Sequence, residues 1–381
     1  MSEPAITEVT GGAYGLAATY DAVRGLADAF DVAGSELRDW AGLGLRTLGD
    51  PALVATAPLS PVSFAIAEAA VLAATTGPDG VLTDSLGWEA DAVVVRRVVA
   101  GLQLADGVVE SWLQIAVWPQ LRSAWLAGWY GPDGQPCVRS RPPTASRPPA
   151  DLEGLVRHLS GVAGRSPEPD SEQNGTIEIQ TIGDRHIVYL PGTDDMTTLP
   201  WTQDDDVRDM ATNFRLSAGL PNAYQQGILE SMREAGIDED DPVLLVGHSQ
   251  GGMEAAAILS QGSEFNVTHV VTAGSPTAQV PGFPDGTHVL SLEHEGDVVP
   301  LLDLAPNPDT VEQVTVTFDG TAGPGGVEGE HSYTHYVAGA ALADATGDPS
   351  VREQLASLRD AGFLGTGGVA TSRVFQVSRW Q

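Results

Sequence analysis

Apolar positions in the first third of the chain recur at helical spacing, whereas in the second half they gather into short, β-branched runs. Leu16, Tyr20, Val23, Leu26, Ala27 and Phe30 follow the three-to-four-residue period of an amphipathic helix. An Ala-rich run from Ser63 to Thr75 and another from about Trp88 to Trp118 continue this helical character. Pro58, Pro61 and the turn Gly77-Pro78-Asp79-Gly80 punctuate it. Residues 131–150 carry Pro132, Pro136, Pro142, Pro143, Pro148 and Pro149 and read as a linker or extended loop, followed by a short helix from Asp151 to Val162. The polar stretch Gly164 to Gly175 marks the expected domain boundary. Residues 1–165 would be a mostly helical domain with its Pro-rich linker, and residues 166–381 a second domain of α/β class.

That second domain is predicted from strands at Thr176–Gln180, Ile187–Leu190, Val243–Val246, His269–Gly274, His288–Leu292 and Gln313–Phe318. Continuous apolar runs such as Ile187–Leu190 and Val243–Val246 suit strands buried on both faces of a mostly parallel sheet. Helices are expected over Gly252–Leu259 and from Ser332 to about Ala343, and Ser372–Ser378 reads as a final edge strand.

One junction carries chemistry. Gly247-His248-Ser249-Gln250-Gly251 lies between the strand Val243–Val246 and a run of helix formers. A serine in a sharp strand-to-helix turn, flanked by glycines two residues either side, is the context of an exposed nucleophile. The amide of Gln250 would then lie at a helix N-terminus, where an oxyanion can be received. Thr193, after Leu190-Pro191-Gly192, is the candidate second donor, its preceding glycine allowing close backbone approach. A serine needs a base, and the base an orienting acid. Asp297 follows the strand that ends near Glu293, and His331 is the last loop residue before a helix capped by Ser332. Glu293, Glu295 and Asp303 remain alternative acids, and His335 an alternative base. His248 packs beneath the nucleophile and, with Asp194 and Trp201, is assigned to the substrate-binding region. Met196, Thr197, Leu199 and Pro200 in the same segment would line the pocket or form a lid.

In their order, Leu190-Pro191-Gly192-Thr193, the Gly-His-Ser-Gln-Gly elbow, Gly296-Asp297-Val298-Val299-Pro300 and His331 resemble the α/β-hydrolase superfamily, most closely its fungal-type, lipase-like branch. The resemblance spans roughly residues 175–362. It implies an α/β-hydrolase fold with Ser249 as nucleophile, Asp297 as triad acid, His331 as base, and Thr193 and Gln250 as oxyanion donors. The implied activity is hydrolysis of carboxylic esters with lipid-like or apolar acyl groups. An acyltransferase on the same triad is one alternative, and an effector whose N-terminal helices bind a protein partner is another. Trp40-Ala41-Gly42, after a long helix, resembles the Trp-x-Gly turn of type VII secretion substrates and implies export by that route. A helical cap packed on the catalytic part is the competing reading.

Composition narrows the partners. The chain of 381 residues has 51 acidic and 19 basic residues and a formal net charge of −32. Every basic residue is arginine. Such acidity repels nucleic acid and anionic membranes. No apolar stretch reaches the ~18 residues of a membrane span, so a small-molecule or lipid ester is the expected partner, without stable membrane insertion. The N-terminal segment lacks the pattern of a Sec signal peptide, which gives a cytoplasmic location or export by another route. The eight histidines show no zinc spacing and no glycine-rich phosphate loop appears, so neither a cofactor nor a metal is expected. Cys137 is the sole cysteine and reads as inert.

Overall fold

The computed structural model describes residues 4–77, 80–86, 88–89, 92–93, 96, 133–166, 174–196, 198, 202–303, 305–320, 329–365 and 367–380. The chain divides into two compact units, one comprising Thr19–Val109 and the other Met1–Ala18 with Glu110–Gln381. The boundary expected near residue 165 is therefore not where the chain divides. The helical segment is an insertion between a first strand and the rest of the sheet.

In the smaller unit, helix α1 (Leu16–Leu48) is followed by the single turn α2 (Pro51–Val54) and by α3 (Pro61–Thr76). Asp50 caps α2 by accepting from the Ala52 amide, and Pro51 and Pro61 occupy first-turn positions, where a missing N–H costs nothing. The turn expected at Trp40-Ala41-Gly42 is absent, because α1 runs unbroken through these residues to Leu48. Glycine inside a helix costs only about 1 kcal/mol, and no proline intervenes before Pro51. Arg96 bridges Asp28 and Asp31 at 2.6 Å, and Phe30 packs edge-on against Trp88. Trp112, Trp118, Trp125, Trp129 and Tyr130 lie outside the described residues, as does the expected helix from residue 97 onward.

The larger unit is α/β. Its strands are β1 (Ile6–Gly11), β2 (Gln135–Ser140), β3 (Thr144–Ser146), β4 (Thr176–Ile182), β5 (Arg185–Leu190), β6 (Val243–His248), β7 (Val267–Ala273), β8 (His288–His294), β9 (Gln313–Phe318) and β10 (Ala370–Trp380). They form one mixed sheet in the order β1-β9-β8-β7-β6-β5-β4-β10-β2, with β3 also paired to β10. Strands β5 to β9 are mutually parallel, and the remaining pairings are antiparallel. Two expectations change here. The Pro-rich stretch is no linker but supplies β2 and β3. Pro136 is tolerated because β2 is the terminal strand, where a ladder donor can be spared. The tail is no edge strand either, because β10 lies between β4 and β2 and pairs on both sides.

Residue alternation in the central strands sorts two cores. Ile187, Tyr189, Leu244, Val246, Val271, Leu290 and Leu292 face one, which is covered by α4 (Leu152–Ala163), α8 (Tyr333–Ala345) and α9 (Pro349–Asp360). Val188, Leu190, Val243, Leu245, Val270 and Val289 face the other, covered by α6 (Ala223–Ala235) and α7 (Gln250–Gln261). Both faces are buried, so the central strands β5 and β6 read as nearly unbroken apolar runs. The short helix α5 (Met210–Ser217) is capped by Asp209, which accepts from the Thr212 amide at 2.7 Å. The other carboxylate oxygen of Asp209 meets Arg379 of β10 at 2.9 Å, and the same guanidinium reaches Asp133 at 2.6 Å. Among the described residues no helix is long and apolar enough to cross a membrane.

Glu254, on α7, is fully buried, and burial pushes its carboxyl up to about 8, with only a partial offset from the Asn222 amide. A carboxyl held above its ordinary value of 4.5 favours the fold most when both states are protonated. That advantage is lost as pH rises from 4.5 towards 8, because the unfolded chain releases the proton first. Glu254→Gln, which cannot ionise, should therefore raise the melting temperature at pH 8 by more than at pH 5. A gain that is equal at both pH values would contradict this.

Candidate active site

The loops after β5, β6 and β8 and the turn before α8 converge at the carboxyl ends of the parallel strands, the edge where open α/β sheets place ligands. The chain turns from β6 into α7 through Ser249, whose φ is 53° and ψ −123°. Among the described residues it is the only non-glycine with positive φ. Its amide donates to the Ala273 carbonyl of β7 at 3.0 Å, and its carbonyl accepts from Gly252 and Met253, so helix and sheet clamp the strained turn from both sides. The flanking glycines are sterically required. A Cβ on Gly251 would lie 1.9 Å from the Leu190 carbonyl oxygen, and one on Gly247 would lie 2.3 Å from the Gly251 backbone. The Ser249 side chain does not cap α7, and among the described residues its hydroxyl has no hydrogen-bond partner.

Asp297 follows β8 in a tight turn, with its amide on the His294 carbonyl. Its Oδ1 accepts from the Val299 amide at 2.9 Å, and its Oδ2 accepts from His331 Nδ1 at 2.5 Å and from the Tyr336 hydroxyl. The carboxylate is fully buried, while the His331 side chain remains 18% exposed. Burial acts to raise the Asp297 pKa. The hydrogen bonds from His331 and Tyr336 outweigh it, and the net shift is downward, which keeps the group ionised. With Nδ1 donating to Asp297, the lone pair of His331 lies on Nε2, the tautomer a general base requires.

The alternatives are engaged elsewhere. The His335 ring stacks on His294 at 4.5 Å. Glu293 accepts from Asn307 and Asp303 from the Gln279 amide, while Glu295 is exposed. His248 is buried beneath the dyad. Its Nε2 donates to the His331 carbonyl at 3.1 Å, and its ring lies 4.4 Å from that of His331 and 4.0 Å from that of Tyr333. Burial, and then the neighbouring His331, drive its pKa well down, so it stays neutral.

The loop after β5 comes against the elbow, since a Cβ on Gly192 would lie 2.9 Å from Ser249 Cβ. The Thr193 hydroxyl accepts from Asn213 Nδ2 at 2.9 Å, and Asn213 Oδ1 accepts from Gln250 Nε2 at 3.0 Å. One side chain thus ties together the two residues whose amides are the candidate donors. Among the described residues neither of those amides has an acceptor. Asp194 directs its carboxylate to Arg208, at 2.5 Å, in a pair that is almost wholly buried. Trp201, with Thr197, Leu199 and Pro200, lies outside the described residues. Tyr336, Asn213 and Arg208 belong to no local motif. The single sequence signal is that Tyr333 and Tyr336 sit at i, i+3 on the helix that follows His331.

A serine held at this φ, ψ stores strain on the order of 1–3 kcal/mol, which glycine relieves and alanine does not. Ser249→Gly should therefore be about 1 kcal/mol more stable to denaturant than Ser249→Ala. Equal stabilities would show that the turn carries no strain.

Comparison of the chain with family models, with curated proteins and with solved structures returns no match. The geometry of Ser249, His331 and Asp297 is thus the ground on which a function can be assigned.

Proposed function

We propose that this protein is a serine hydrolase of the α/β-hydrolase type, cleaving carboxylic esters through an acyl-enzyme. The observation that carries the reading is the strained Ser249 turn at the end of β6, whose neighbour His248 lies with its ring 4.4 Å from that of His331, the histidine paired with the buried Asp297. Ser249 Oγ attacks the ester carbonyl as its proton passes to His331 Nε2. Asp297 holds the imidazole in the attacking tautomer and stabilises the charge it acquires. The oxyanion of the tetrahedral intermediate is received by the amides of Thr193 and Gln250, the latter at the N-terminus of α7. Collapse expels the alcohol, which takes the proton from His331. Water then repeats the sequence and frees the acid. The acid follows β8 and the histidine follows β9, an order that supports the α/β-hydrolase reading. The mixed ten-stranded sheet is compatible with it.

Apolar side chains at the same sheet edge support an apolar acyl group. Met196 in the loop after β5 is 65% exposed, and Val298, Leu301 and Leu302 beside Asp297 are 47%, 54% and 64% exposed. A net charge of −32 disfavours anionic substrates.

Nitrophenyl esters of increasing chain length, assayed with wild type and Ser249→Ala, test the proposal. Turnover should rise with acyl length and vanish in the variant, and a fluorophosphonate should label Ser249 alone. Asp297→Asn should lower kcat by at least roughly 10²-fold, His331→Ala by several orders of magnitude, and His335→Ala by less than about 10-fold. Labelling at another serine, or full activity in Ser249→Ala, would overturn the assignment.

A further inference from the structure

Gly192 is gripped from both sides. Its amide donates to the Tyr333 hydroxyl at 3.1 Å, and its carbonyl accepts from Arg208 Nη1 at 3.0 Å. Arg208 is buried, and its Nη2 meets Asp194 Oδ2 at 2.5 Å. Its own backbone carbonyl accepts the amides of Asp194 and Asp195 at 2.9 and 3.3 Å. Side chain and main chain of Arg208 therefore bind the same short loop.

The Gly192 carbonyl and the Thr193 amide belong to one peptide unit. No described peptide bond is cis, and in a trans peptide the C=O and N–H point in opposite directions. A guanidinium that captures the carbonyl therefore turns the Thr193 amide away from itself. Glycine supplies the least resistance to rotation of this peptide, so the orientation has to be imposed from outside. We infer that Arg208, assisted by Tyr333, is the positioning residue that turns the Thr193 amide towards the oxyanion at Ser249. This inference rests on the serine-hydrolase reading above. Asp194 then acts at one remove, by holding Arg208, and touches no substrate. Arginine suits the task because its planar fork bonds a carbonyl and a carboxylate at once, which the point charge of lysine does not.

Kinetics with a nitrophenyl ester on wild type, Ser249→Ala, Arg208→Lys and Tyr333→Phe test the assignment. Losing one oxyanion donor lowers kcat by about 10²- to 10³-fold. Arg208→Lys should lower kcat by about 10²-fold and leave the pH profile of kcat/KM in place, because His331 and Asp297 are untouched. Its KM should stay near the wild-type value. Affinity for a trifluoromethyl ketone, whose serine adduct bears the oxyanion, should fall in parallel with kcat. Folded Arg208→Lys with kcat near wild type would overturn the positioning role while leaving the hydrolase reading standing. Equal turnover by wild type and Ser249→Ala would instead overturn the hydrolase reading, and this inference with it. Should Arg208→Lys not fold, Tyr333→Phe, which removes only a hydroxyl, decides. A loss of kcat of about 10-fold or more at constant KM supports the clamp, and an unchanged kcat overturns it.

Discussion

Two neighbouring parallel strands, β5 and β6, are paired with Leu190 opposite Gly247, and the loops leaving them meet with no room for a side chain between. A Cβ at Gly251 would collide with the Leu190 carbonyl, and one at Gly192 would press on Ser249 and His248. This close approach is the constraint on which the candidate site depends. It forces the turn at Ser249 into a conformation that an L-residue rarely adopts, and it brings the Thr193 loop to the start of α7. The hydrogen bonds of Ser249 to β7 and of α7 to Ser249 keep the turn from relaxing. The strain is thus supported by two buried cores, one on each face of the sheet.

Charge follows the same logic. In a strongly acidic chain, three arginines, Arg208, Arg215 and Arg379, are nearly fully buried. Each lies beside carboxylates, among them Asp194, Asp133 and Asp209. Removing such groups from water offsets much of what their attraction returns, so a contribution to stability alone is a weak account of them. What they accomplish is geometric. Arg379 ties β10 to the capping residue of α5, α5 supplies Asn213 to the Thr193 and Gln250 side chains, and Arg208 holds Gly192. Asp297 and His331 are fixed separately, through Tyr336 and His248, from the first turn of α8 and the end of β6.

The central strands were legible in the sequence, because parallel strands buried on both faces are largely apolar, and Ile187–Leu190 and Val243–Val246 are recognisable on that ground alone. The elbow was legible too, since glycines at both required positions around a serine between strand and helix leave few other readings. His331 could be placed just ahead of a helix from the capping residue Ser332, though its preference over His335 could not be decided from spacing.

The sheet's edges were hidden. Gln135–Ser140 carries little local strand signal, and Ile6–Gly11, though rich in β-branched residues, does not show locally what it pairs with; both take their places because β9 and β10 present unpaired ladders to them. The turn expected at Trp40-Ala41-Gly42 is absent because the long helix α1 absorbs its four glycines, Gly42 and Gly44 among them. The ring that meets Asp297, the buried fork of Arg208 on Gly192 and the amide bridge of Asn213 were likewise invisible, since these partners lie 14 to 39 residues apart and meet only through packing. The sequence determined which segments form the central strands and where the chain makes a strained serine turn, because both are local consequences of side-chain size and backbone freedom. Tertiary structure alone decided which acid faces which histidine and how the Thr193 peptide is held. Those are matters of register and burial, fixed only when distant segments close on one another.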